Sequence, residues 1–350
     1  MSSSRHSTGL LRTRAALGAL SALIGLTAAP AQAAWVSRGV DGIMGTHIYV
    51  ELWAEEEDRA RGEQAIDAVM DEMRHIDETM SVYKPTSEVS QVNALAAQQP
   101  VKISAELFGL LSTAIEYSRI TEAAFDITYA SVGYMYDFRA RQRPSEQQIQ
   151  AALPAINYRH LLLDAASSTV RFSQPGVRID LGGIAKGYAV DRGIEILQAR
   201  GFTHALVNAG GDSRVIGDRF GKAWIIGIRH PDHPGQVIVR LPLTNTAFST
   251  SGDYERYFDE DGVRYHHIID PHTGHSASKV RSATVIGPYA TRTDGLSKTA
   301  FVLGPDKALE IYNKLDDIDA IIVKLDGTVV HSSGMSHAPP HGDVPAAAAH

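Results

Sequence analysis

Cysteine is absent from the 350 residues. With it go a disulfide framework, a thiolate zinc site, an iron–sulfur cluster and a thiol nucleophile. No concentrated Lys/Arg block occurs among 33 basic and 40 acidic residues, and the net charge is −7. The electrostatic footprint of a nucleic-acid binder is therefore missing. Thirty glycines and 15 prolines are too few for a collagenous or low-complexity chain. No period of 20–50 residues repeats. What is present, 44% hydrophobic and 21% charged residues, is the profile of a soluble globular protein. The length allows one large domain or two ordinary ones.

Residues 1–33 read as a secretory signal peptide. Arg5, Arg12 and Arg14 form a basic region, Ala15 to Ala29 an apolar run, and Ala31-Gln32-Ala33 a small-residue cleavage site. The run is shorter than the ~20 residues that a membrane span needs. Without a cysteine, the exported chain has no thiol for a lipid anchor. Removing the segment takes away three arginines and no acids, leaving 30 basic against 40 acidic residues and a net charge of −10. A soluble periplasmic protein is expected, and the lack of thiols suits an oxidising compartment.

Ile66, Val69, Met70, Met73, Ile76 and Met80 recur at helical spacing, which predicts a helix over roughly 57–80. Leu107, Leu110, Leu111, Ala114 and Ile115 mark a second. Ser145 with Gln148 is a capping-box start for a third, which stops before Pro154. Val177 to Leu181 reads as a strand leading into a helix that ends near Gly201. Residues 204–290 are β-rich, with a hairpin around Glu260-Asp261-Gly262. A helix near 305–315 and a hairpin at Asp326-Gly327 close a domain spanning 34–332. Residues 333–350 read as a disordered tail. The fold class expected is α+β, a single large domain whose β-rich core is flanked by helices.

Four segments combine glycine, charge and imidazole. Asp180-Leu-Gly-Gly-Ile-Ala-Lys-Gly-Tyr-Ala-Val-Asp191 brings paired glycines and Lys186 to the start of a helix, a setting that favours phosphate. Its spacing is neither that of a Walker loop nor that of a Rossmann fingerprint. Asn208-Ala-Gly-Gly-Asp212 repeats the pattern of a strand running into glycines and a carboxylate. Ser249-Thr-Ser-Gly-Asp-Tyr-Glu255 is followed by His266-His267-Ile-Ile-Asp-Pro-His-Thr-Gly274, in which a histidine three residues before an Asp-Pro turn is a candidate general base. Adjacent histidines on a strand face opposite ways, which argues against one zinc ion shared by His266, His267 and His272. Thr293-Asp294-Gly-Leu-Ser297 offers oxygen ligands for a hard cation, or an aspartate that caps the next helix.

Together these segments resemble the ApbE-type flavin transferases. The resemblance runs in order through Met44-Gly45-Thr46, Met80-Ser-Val-Tyr83, Ser87-Glu88, Phe125-Asp126, the four segments above and Phe301–Gly304, covering about 43–330. It implies a T-fold-like α+β architecture and a secreted, Mg²⁺-dependent FAD:protein FMN transferase. Such an enzyme cleaves FAD and attaches FMN to a Ser or Thr hydroxyl of an acceptor protein, an exported or membrane redox protein, releasing AMP. By similarity, Met44, Tyr83, Ala124, Phe125 and Asp126 line the flavin and adenine sites, and Asp180, Lys186 and Ile268 also contact FAD. The same similarity assigns the metal to Gly183, Asp294 and Ser297, and the base to His267. The histidine is expected to titrate near working pH, with His266, facing the opposite way on the strand, as an internal control.

One departure stands out. Where the family has a threonine four residues after the metal-binding aspartate, this chain has Lys298, with Ser297 before it and Thr299 one place on. A protonated lysine cannot be a metal ligand. The departure points to a weaker metal site, to one ion with more water, or to partial replacement of the metal by the ammonium. An FAD pyrophosphatase and an FAD-binding protein without turnover are the rival readings. The export reading is checked by mass spectrometry of protein from a secreting host. The mature chain is expected to begin at Ala34, and a membrane-bound product retaining residues 1–33 would overturn it.

Overall fold

The computed structural model describes residues 34–337 except 232 and 234. The predicted signal segment and residues 338–350 of the expected tail lie outside the described residues.

The core is one eight-stranded sheet: β1 (Ala34–Ile43), β2 (Thr46–Ala54), β3 (Ala205–Ala209), β4 (Asp212–Ile216), β5 (Thr246–Gly252), β6 (Val280–Gly287), β7 (Asp319–Lys324) and β8 (Val329–His331). Order in the sheet is order in the chain, and every neighbouring pair is antiparallel. In such a meander successive connections alternate between the two ends. The β1–β2, β3–β4 and β5–β6 connections therefore emerge together at one end. Backbone bonds tie them there, from Gly210 N to His47 O (2.9 Å) and from Thr250 N to Gly211 O (2.9 Å).

Helices fill the two long excursions. Between β2 and β3 run α1 (Arg59–Met80) and α2 (Ala185–Ala199); between β6 and β7 run α3 (Ala290–Leu296) and α4 (Thr299–Leu303). Alternate residues of β2 (Ile48, Val50, Leu52, Ala54) and β3 (Ala205, Val207, Ala209) are buried. They pack with Ile66, Val69, Met70 and Met73 of α1 and with Ala189, Ile194 and Leu197 of α2. A separate hairpin, Trp224–Arg229 with Val237–Leu243, sets Ile228 and Leu241 on Ile286 and Ile321 of the sheet.

The α+β single domain stands as expected. A 3-10 turn at Glu56–Asp58 precedes α1, and the Ser145–Gln148 capping box is formed in both directions. Asp261 and Gly262 both take positive φ (50° and 79°), as a two-residue hairpin turn requires. Three differences follow from tertiary pairing. Val177–Leu181 is extended but joins no sheet, because side chains satisfy its backbone: Asn93 bridges both polar groups of Ile179, and Ser131 Oγ accepts from Arg178 N. The β1–β2 hairpin turns at Met44 and Gly45, both at positive φ, while the Asp41-Gly42 pair just before it falls at a register shift inside β1. The expected tail starts too early at 333, since Ser333–His337 forms a 3-10 turn and Ser333 N donates to Asn313 Oδ1.

Gly187 marks the tightest approach of α2 to α3. A Cβ added there would lie 2.2 Å from Ala290 O and 2.8 Å from Asp294 Cβ. Neither neighbour can yield without moving a helix. Gly187→Ala is expected to cost about 1–3 kcal/mol or more, as overpacking does. Urea denaturation checks it, and an unchanged midpoint would refute the close contact.

Candidate active site

Lys186, in the first turn of α2, donates to Asp212 Oδ2 at 2.5 Å and reaches Asp294 Oδ2 at 3.5 Å. Gly187 N donates to the same Asp294 oxygen at 3.1 Å. Lys298 donates to the other carboxylate oxygen, to Asp294 O at 2.7 Å and to Gly183 O at 3.2 Å. Two ammonium groups thus share two buried carboxylates where α2, α3 and the first residue of β4 meet. Burial alone would neutralise Lys186, but Asp212 and Asp294 more than offset it and hold the ammonium above its usual range. Burial likewise opposes the Asp294 carboxylate, and Lys186 and Lys298 hold it below the ordinary range.

The aspartate is placed from a distance. Asp191, on α2, accepts from Ala290 N (2.9 Å), Thr291 N (2.8 Å) and Thr291 Oγ1 (2.6 Å), and pairs with Arg214 at 2.9 Å. A carboxylate at the N-terminus of α3 satisfies free amides and complements the helix dipole. Asp294 lies five residues into that helix, so it is not a cap. Ser297 Oγ is engaged by Asp294 O and Ser251 Oγ, both at 2.8 Å.

His266 and His267 face opposite ways, as expected. His266 is buried against Phe301, with Nε2 at 2.5 Å from Ala277 O. It is a packing residue, so truncating it leaves a cavity and it is no neutral control. His267 is half-buried and its Nδ1 is sequestered without a hydrogen-bond partner among the described residues. Burial pulls its pKa down to about 3, and His266, Arg256, Lys298 and Lys186 push the same way. The expectation that it titrates near working pH is thus corrected. It is neutral at pH 7 and is a weak base in the free protein. The three cations that act on it also place it beside the lysine cluster.

The other residues implied by the resemblance divide. Asp180 joins the site: Gly182 N donates to it at 2.7 Å, Tyr129 bonds to it, and Arg256 acts on it. Arg256 also reaches Gly45 O at 3.3 Å, beside Met44. Phe125 packs against Gly183, and Ala124 and Ile268 share one buried cluster. Tyr83 presents an 83% exposed ring. Asp126 is spent internally, since its carboxylate accepts from Thr128 N, Thr128 Oγ1 and Tyr158 N. It shapes the loop that carries Phe125. Asp212, Asp191, Arg256 and Tyr129 received no role from sequence. Only Asp212 and Asp191 lay in segments with a visible signal.

The model of the ApbE family matches residues 44–322. A protein of Haemophilus influenzae named FAD:protein FMN transferase is 33% identical over 301 residues, covering 83% of this chain and 87% of its own length. One of Klebsiella pneumoniae with the same name is 30% identical over 295 residues, covering 83% and 90%. Among solved structures, the ApbE protein of Thermotoga maritima superposes with a TM-score of 0.80 at 33% identity, covering 87% of this chain and 98% of its own. The flavin transferase ApbE of Vibrio cholerae gives 0.76 at 28% identity, covering 87% and 99%.

The two lowered histidines set a pH dependence of stability. His266 falls to about 4 and His267 to about 3, against an unfolded value near 6.5. Between those values the unfolded chain binds more protons, so stability is lost as pH falls from about 6.5 toward 3. Denaturant unfolding at pH 7, 5.5 and 4.5 should show the decline, and His267→Gln should make it shallower. Equal slopes for the two proteins would mean that the imidazole is not desolvated.

Proposed function

The chain belongs to the ApbE family, and on that premise we propose that it transfers FMN from FAD to a Ser or Thr hydroxyl of an acceptor protein and releases AMP. One observation carries the reading: Lys186, paired to Asp212 and Asp294 at the glycine-lined start of α2, acts on the imidazole of His267, whose buried Nδ1 has no hydrogen-bond partner among the described residues.

In the proposed step the acceptor oxygen forms a bond to the phosphorus of the FMN half. The bond from that phosphorus to the bridging oxygen breaks, and the electron pair leaves with AMP. The hydroxyl proton goes to His267, which is already in its basic form at neutral pH. Lys186 offsets the negative charge that gathers on the phosphates. Its ammonium is fixed in advance by two carboxylates, so no reorganisation is needed as charge develops. A bound pyrophosphate would also raise the proton affinity of the imidazole, since an adjacent negative charge favours the protonated form. Tyr83 offers an exposed ring face for the flavin or adenine, and the Gly182–Gly183 loop allows close backbone approach.

The resemblance further implies Mg²⁺ at Gly183, Asp294 and Ser297. The oxygens of Gly183 and Asp294 do converge, but they converge on Lys298 Nζ. Ser297 Oγ is turned to Ser251. A hard divalent ion wants about six oxygen ligands and cannot share three with an ammonium. The set as arranged does not fit a protein-bound Mg²⁺. The proposed setting is the periplasm, with an exported or membrane redox protein as acceptor; the basic, apolar and small-residue pattern of residues 1–33 supports it.

The test is AMP release from FAD with and without an acceptor protein whose Ser or Thr flavinylation site is still unmodified. Acceptor-dependent AMP with a fluorescent protein band is expected. AMP alone would indicate a pyrophosphatase, and none would indicate a binder. His267→Ala should lose ~10²–10⁴-fold in transfer, the usual worth of a general base. The wild-type kcat/KM for FAD, which reports the free enzyme, should show no His267 limb between pH 8 and pH 6, and a steep fall there would contradict a neutral imidazole.

A further inference from the structure

We propose that Lys298 is a tethered cation occupying the seat a divalent ion would take, so that the free protein holds no divalent metal at Gly183 and Asp294. The consequence for turnover rests on the transferase reading above; the occupancy itself does not.

Three observations converge. Lys298 has three N–H donors and the structure gives them three acceptors, Gly183 O, Asp294 O and Asp294 Oδ1, drawn from two elements far apart in the chain. That is a cation's coordination, made by a side chain four residues from the carboxylate it neutralises. The positive charge is already sufficient, because Lys186 and Lys298 face Asp212 and Asp294, and burial together with Asp294 pushes the Asp212 carboxyl upward. A divalent ion added there would leave two uncompensated positive charges among buried groups, an expensive arrangement. The side chain is also packed in place, with its Cε in van der Waals range of Gly183, 3.5 Å from where a Cβ would lie.

The substitution changes the chemistry available. With every N–H committed to protein oxygens, Lys298 acts through space as a fixed point charge. It has no open position to take a phosphate oxygen, as a metal would. Lys298 is thus a positioning residue that pins the Gly183 loop to α3 and keeps Asp294 ionised.

The experiment is a Mn²⁺ titration of the chelator-treated full chain, read by the electron paramagnetic resonance signal of free Mn²⁺. It is repeated on Lys298→Thr and Lys298→Gln, with circular dichroism to check folding. The wild type is expected to show no stoichiometric Mn²⁺ site, and the variants to bind one ion at least about tenfold more tightly, because a like charge has been removed from contact distance. One Mn²⁺ per wild-type chain, bound as tightly as by the variants, would overturn the proposal. So would folded variants that bind none, since the oxygens would then not be a cation seat. If neither variant folds, the wild-type titration decides: a tight stoichiometric site overturns, and its absence supports. AMP release in the same samples tests the transferase reading separately. No AMP from wild type with acceptor would remove that reading and leave the Mn²⁺ result to decide the seat.

Discussion

Two lysines and two aspartates, paired at the junction of α2, β4 and α3, are the interaction on which the site depends. Burying four charges is costly, and the cluster is tolerable only because each charge faces an opposite one and Asp294 takes a further amide bond from Gly187. Removing one partner from such a group typically costs about 3–5 kcal/mol. The pairing dictates what surrounds it. Gly187 must be glycine for α2 to come within reach of Asp294. Asp191 must hold the start of α3 so that the carboxylate points inward.

The sheet explains how such distant residues meet. An antiparallel meander sends every second connection to the same end. Met44–Gly45, Gly210–Gly211 and the segment carrying Arg256 and His267 therefore gather without long-range strand exchange. The two helical excursions then bring Lys186 and Asp294 to that end from one face. Scaffold and chemistry are thus divided: the strands fix the positions, and the connections carry the reactive groups.

Electrostatics at this end is poised for an anion. Burial keeps the His267 imidazole unprotonated, and Arg256, Lys298 and Lys186 push the same way although the two lysines are paired to carboxylates. A group that is neutral before a phosphate ligand arrives, and more basic afterwards, suits a proton acceptor in phosphoryl transfer. The Lys298 ammonium places a single positive charge on the oxygens of Gly183 and Asp294 and, with its N–H groups committed there, offers no open coordination position.

Much of this was legible in the chain. Helical periodicity located α1, the Ser145–Gln148 pair located a cap, and Asp261-Gly262 located a hairpin, because each is a local preference written within a few residues. Motif order indicated the family and marked Lys186, Asp294 and His267. Other features needed the fold. Val177–Leu181 looked like a strand because its apolar pattern cannot reveal that Asn93 and Ser131 would satisfy its backbone. His267 looked like an ordinary titrating histidine because its pKa depends on burial and on three cations from other elements. Lys298 looked like a departure from a metal motif, and only the coordinates show its ammonium on Gly183 and Asp294. Local sequence determined the elements and the residue types. Tertiary structure decided the partners, because a charge's energy is set by the neighbours and the solvent it loses, and those come from the whole chain.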